Sequence, residues 1–145
     1  MRKTARGVLG FTASAALAAL MAASLSAQNK NDKPKLSLTA RPSVAIAPAR
    51  VVLTAELTGG ANDFEEYYCP TVRWEWGDLT SSESGADCAP YEAGKSEIKR
   101  RFVVDHKFES SGSFKVYVRL KHGNKELAAT STTVKIQPGG RIEEQ

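Results

Sequence analysis

Two histidines, two cysteines and one long uncharged run are all that this 145-residue chain holds of the features that usually announce chemistry or membrane residence. A zinc site or a nucleophile with its base needs several converging His, Cys, Asp or Glu side chains, and His106 and His122 do not supply a set. Amphipathic helical periodicity is also missing beyond the first residues, which argues against bundles and α/β layers. Excess charge of one sign is missing as well. Three of the 20 basic residues, Arg2, Lys3 and Arg6, precede Ala27, whereas all 16 acidic residues follow it, which leaves a net charge of +1. A nearly neutral chain has no basic face for a phosphate backbone, so nucleic acid is not an expected partner.

The uncharged run, Gly7 to Leu25, follows the three basic residues and is rich in Ala. With Ser24, Leu25, Ser26 and Ala27 behind it, it reads as a secretory signal over residues 1–27, cleaved after Ala27. The alternative is a retained membrane anchor. No cysteine stands at its end for lipid attachment. Cleavage would leave a secreted or periplasmic chain with no membrane span: a flexible polar lead-in at 28–35, one domain at 36–137 and a polar tail at 138–145. In an oxidising compartment the even pair Cys69 and Cys88 is expected to form a disulfide, worth about 3 kcal/mol in the chain-entropy picture.

Most of the chain between residues 36 and 136 alternates with period two. Leu36, Leu38 and Ala40 alternate with Lys35, Ser37 and Thr39, and the pattern continues to Val44 and Ile46 past Pro42. Pro42 and Pro48 suit an interrupted edge strand. Val51, Leu53, Ala55 and Leu57 form one face of a stronger strand that Gly59 and Gly60 stop. Val72, Trp74 and Trp76 share a face in the next, and two indoles on one side imply a deep core. Residues 79–94 read as loop or a short edge hairpin. Ile98 to Phe108 resumes the alternation, followed by Phe114 to Leu120, a Gly123-Asn124 hairpin, and Thr130 to Ile136. About seven short strands without helices predict an all-β, immunoglobulin-like antiparallel β-sandwich.

The run Val72-Arg73-Trp74-Glu75-Trp76-Gly77-Asp78, then His106-Lys107-Phe108, then Gly112-Ser113-Phe114-Lys115-Val116-Tyr117-Val118, resembles the polycystic kidney disease (PKD) repeat in three motifs taken in order. Glu75, Trp76, Leu79 and Phe108 depart from that family's usual Asp, Phe, Gly and Tyr. The resemblance implies an immunoglobulin-like sandwich acting as a spacer, adhesion or ligand-contact module, with no catalysis of its own. Trp74 is expected at the centre of the core, between sheets about 10 Å apart. Cys69 opens the Trp74 strand, so a bridge to Cys88 requires the chain to turn after Asp78 and return alongside that strand.

Against this frame each reactive residue has a structural reading. His106 is expected to pack at a sheet end and bond a turn, and Asp78 to order the turn after Gly77. Asp63, Glu65, Glu66, Asp78 and Asp87 could supply oxygen ligands to calcium, but they lack a D-x-D-x-D-G spacing and read as solvated acids; no metal or cofactor is expected. Tyr67, Tyr68 and Tyr91 lie near the cysteines: either their rings cover the end of the sandwich around the Cys pair, or, since exposed tyrosine gives rigid contact area, they are the candidate binding residues. Lys115, Arg119 and Lys121, with Lys99, Arg100 and Arg101, make a basic stripe. The expected function is an exported, non-enzymatic binding or structural module for protein or polysaccharide. The competing readings are an accessory module of a hydrolase, or a small hydrolase, and a subunit that gains strands from its neighbours.

Overall fold

The computed structural model describes residues 32–140, so the expected signal segment lies outside the described residues. Eight strands form two facing sheets: β1 (Lys35–Arg41), β2 (Val44–Ile46), β3 (Ala49–Thr58), β4 (Thr71–Glu75), β5 (Ser81–Ser84), β6 (Arg101–Phe108), β7 (Gly112–His122) and β8 (Lys125–Gln137). A small sheet has the order β1-β3-β6, and a larger one the order β2-β8-β7-β4-β5.

The alternating faces do what the sequence requires. In β3, Val51, Leu53, Ala55 and Leu57 are buried while their neighbours face outward. In β7, Val116, Val118 and Leu120 meet them from the other sheet, joined by Val72, Trp74, Val134 and Ile136. Full burial of such side chains contributes about 1.5–3 kcal/mol each, which makes this layer the main source of stability. Trp74 and Trp76 are both in it, although Trp76 lies just past the end of β4.

Three expectations change in the fold. The strand count is eight because the first strand is broken at Pro42. β1 pairs with β3 in the small sheet and β2 with β8 in the large one. The β2–β8 pairing is parallel, so the sandwich is not wholly antiparallel. Crossing between sheets also reverses which parity faces the core: Ala45 points inward, and Val44 and Ile46 point out. Their continuation of the Leu36–Ala40 alternation is therefore not a continuation of its buried face.

Candidate functional site

The two ends of the sandwich differ in character. At one, the chain enters β4 through Phe64 to Pro70. A short 3-10 turn at Glu65–Tyr67 places the Phe64 and Tyr67 rings edge to face at 5.5 Å. Tyr67 is 2 % exposed, and its hydroxyl donates to the Leu127 carbonyl at 3.1 Å. Burial raises its pKa. Tyr67 is thus a core residue, and its expected place on a binding surface is corrected: a ring at this spacing from Phe64 shares the inward side of the turn. Beside it, Glu66 receives Lys33 and Lys125, and the hydrogen bond from Lys125 leads in holding its carboxyl below the usual range.

Tyr68 and Tyr91 stay half-buried at the surface. Their rings meet edge to face at 5.5 Å, and each hydroxyl is tied to backbone, Tyr68 to the Ala89 carbonyl at 2.9 Å and Tyr91 to that of Asp63 at 2.7 Å. Cys69, at φ +52, reverses the chain into β4, and β5 returns antiparallel to β4 with Val72 opposite Ser84. The Cys69–Cys88 disulfide then closes just beyond this hairpin, with Cα atoms 6.2 Å apart. It staples one edge of one sheet and does not bridge the two sheets.

Among the described residues no strand pairs with the outer edge of β6, and β5 likewise has a partner on one side only. Between these two edges lies a hollow of about 190 Å³ walled by Tyr68, Pro70, Val72, Phe102 and the disulfide, with Glu97 and Lys99 at its rim. Its lining is mostly apolar, which suits an inserted hydrocarbon or aromatic group more than a charge.

At the opposite end the PKD-like residues form one column of rings. Trp74 and Trp76 stack at 5.7 Å, Trp76 and His106 at 4.2 Å with planes 2° apart, His106 meets Phe108 edge on at 4.8 Å, and Phe108 lies 4.7 Å from Phe114. His106 Nε2 lies 2.7 Å from Asp78 Oδ2, while the other Asp78 oxygen accepts the Thr80 amide at 3.0 Å and the Thr80 hydroxyl. Gly77, at φ +78, is needed here: a Cβ would come within 2.7 Å of the Lys115 carbonyl. At Gly112 a Cβ would press on the Phe114 ring at 3.0 Å. These groups organise a turn, and His106 has one ring face stacked on Trp76, an edge-to-face contact with Phe108, and its Nε2 engaged by Asp78.

His122 sits exposed beside the β7–β8 hairpin, at the far end from His106. Asp78 is likewise separated from Asp63, Glu65 and Glu66 by the length of β4, so the acids considered for calcium do not converge. The basic stripe is broken too. Arg119 is answered by Glu75 at 3.4 Å and Glu126 at 2.9 Å. Arg100 turns inward and donates to the carbonyls of Leu57, Gly59 and Gly60 and to Asn62 Oδ1. Sequence reasoning missed this role, since nothing local marks an arginine that closes a glycine turn some forty residues earlier.

No family model and no curated protein matches the sequence. Among solved structures, the chain is similar to the PKD domain of an M14-like peptidase from a Thermoplasmatales archaeon, with 18 % identity, a TM-score of 0.50, and coverage of 73 % of this chain and 97 % of that one. The fold is immunoglobulin-like, of the PKD kind. A CARDB domain from Pyrococcus furiosus, solved in complex with di-metal ions, aligns over 72 % of this chain and 94 % of its own at 11 % identity and a TM-score of 0.43. Likeness at these identities extends to the fold alone.

Proposed function

We propose that this chain is an exported, non-catalytic immunoglobulin-like module that binds a protein ligand at its disulfide-bearing end. The observation that carries the reading is the apolar hollow between the β5 and β6 edges, held open by loops that the disulfide and the Tyr68 and Tyr91 hydroxyls tie to backbone. A tied loop loses little conformational entropy on binding, which favours affinity. Tyr68 lines the apolar recess and Tyr91 braces it edge to face from behind, an arrangement that suits an apolar side chain better than the broad ring face a polysaccharide would stack on. The disulfide fits an oxidising compartment, in keeping with the basic-then-apolar N-terminus.

The hydrolase reading needs a nucleophile and base or paired acids facing one cleft. In its favour there is only the hollow itself, whose rim carries Glu97 and Lys99. Peptidase and glycosidase assays with the purified protein test it, and turnover that vanishes in a Glu97→Gln variant would establish it.

Binding is tested by crosslinking the exported protein in its native envelope and identifying what is captured, with a Tyr68→Ala, Tyr91→Ala variant in parallel. The reading expects a specific protein that the variant loses. A captured partner retained in full by the variant places the binding surface elsewhere.

A further inference from the structure

Five large apolar side chains are exposed among the described residues, and three of them, Val44, Ile46 and Leu79, lie at the end away from the disulfide. Leu79 is 105 % exposed and stands at φ +70, a left-handed conformation that favours glycine. The chain therefore accepts both backbone strain and a wholly solvated leucine at one position, on a turn made rigid by Asp78, Thr80, His106 and the tight approach of Gly77 to β7. Strain held in place by its surroundings points to use.

The surroundings say what kind of use. Leu79 shares a shallow hollow with Gly77, Lys115 and Tyr117 on the outer face of the large sheet. Val44 pairs with Lys135 in the β2–β8 register, and Lys135 pairs with Ser113 in β7, two residues from Lys115. Lys115 and Lys135 form no ion pair among the described residues. Of the described carboxylates of this end, Glu75 is answered by Arg73 and Arg119, Asp105 by Arg50 and Glu109 by Lys107, while Asp78 is part-buried with its oxygens hydrogen-bonded to His106 and Thr80. What remains outward is apolar and positive.

The apolar residues are also spread apart. Val44 and Ile46 are on β2 and Leu79 follows β4, and the order β2-β8-β7-β4-β5 puts those two strands three strand spacings apart, roughly 14 Å. Separate prongs with lysines between them would demand several matching sockets of a protein. A fluid anionic bilayer accepts them without any.

We infer that this end of the sandwich is a peripheral docking surface for anionic phospholipid, with Leu79 and Ile46 entering the interface and Lys115 and Lys135 facing the headgroups. The contact is weak and reversible, because each lysine near an anionic surface strengthens partition only about fivefold. It is separate from the proposed ligand hollow, which lies at the other end, so either can fail without the other.

The test places an environment-sensitive fluorophore on Leu79→Cys in the full chain, and on Asn124→Cys at the opposite hairpin. Vesicles of phosphatidylcholine with about one-third phosphatidylglycerol are compared with pure phosphatidylcholine. The expected result is a blue shift and quencher protection at position 79 with the anionic vesicles, none at 124, and a loss of roughly tenfold or more in the vesicle affinity when Lys115→Gln and Lys135→Gln are added. Equal responses at both positions, no response at 79, or a response indifferent to the lysines or to lipid charge overturns the inference. The Asn124 label also separates docking by this end from attachment through the N-terminal apolar segment, which has no reason to bury position 79 selectively.

Discussion

The imidazole of His106 in the small sheet holds the carboxylate of Asp78 in the turn that leaves the large sheet, at 2.7 Å. The pair ties the two layers together at one end, beneath the exposed Leu79. Burial raises the Asp78 pKa, but hydrogen bonds from Thr80 and His106 outweigh it, so the carboxyl sits below its ordinary value.

A lowered folded-state pKa adds stability that is present above the unfolded value, near 4, and is lost as pH falls through the folded value. Asp78→Asn is therefore expected to cost about 1.5–3 kcal/mol near neutral pH, the worth of hydrogen bonds to a charged group. The gap between wild type and variant should narrow in acid. Urea denaturation of both proteins across the acid range measures it, and a gap independent of pH would mean that the carboxylate carries none of the effect.

Tyr67 separates core from surface. Tyr67→Phe should cost about 1 kcal/mol by leaving the Leu127 carbonyl without its partner, and Tyr67→Ala about 3–5 kcal/mol by opening a cavity. A surface tyrosine would give almost nothing in the same thermal or chemical unfolding experiment.

Leu79 makes the opposite prediction. Relief of left-handed strain outweighs the added freedom of the unfolded chain, so Leu79→Gly should be neutral or stabilising by up to about 1 kcal/mol. Leu79→Val, with a branched Cβ, should be worse than wild type. Paired melting curves suffice to rank the three proteins.

Replacing Cys69 and Cys88 together with serine should cost about 3 kcal/mol and lower the urea midpoint by roughly 1–3 M. Limited proteolysis should then cut within residues 85–97, which the bridge now ties to the start of β4. An unchanged midpoint would show that the β4–β5 hairpin holds without its staple.

Much of this sandwich was legible in the sequence. Val51 to Leu57 and Phe114 to Leu120 each keep one parity, and a period of two has one meaning when a single face is buried. Trp74 and the return of the chain towards Cys88 followed from similar arguments. Val44 and Ile46 were misread because parity is defined within one sheet, and Pro42 carries the chain into the other. Tyr67 was grouped with Tyr68 by adjacency, whereas the spacing that mattered was its three-residue offset from Phe64. The left-handed angle of Leu79 was hinted at by the glycine that the PKD pattern has in its place, but its full exposure had no local signal, since the turn is set by contacts that Gly77 and Asp78 make with β7 and β6.

The parallel pairing of β2 with β8 has a mechanical consequence. The chain enters the domain at the disulfide-bearing end and leaves it at the other, so a pull applied to the two ends of the domain runs along the long axis, drawing β2 backward and β8 forward. The bonds that join them, including Lys135 N–H to the Ser43 carbonyl and Ala47 N–H to the Gln137 carbonyl, both 2.9 Å, then bear load side by side in shear instead of parting one after another.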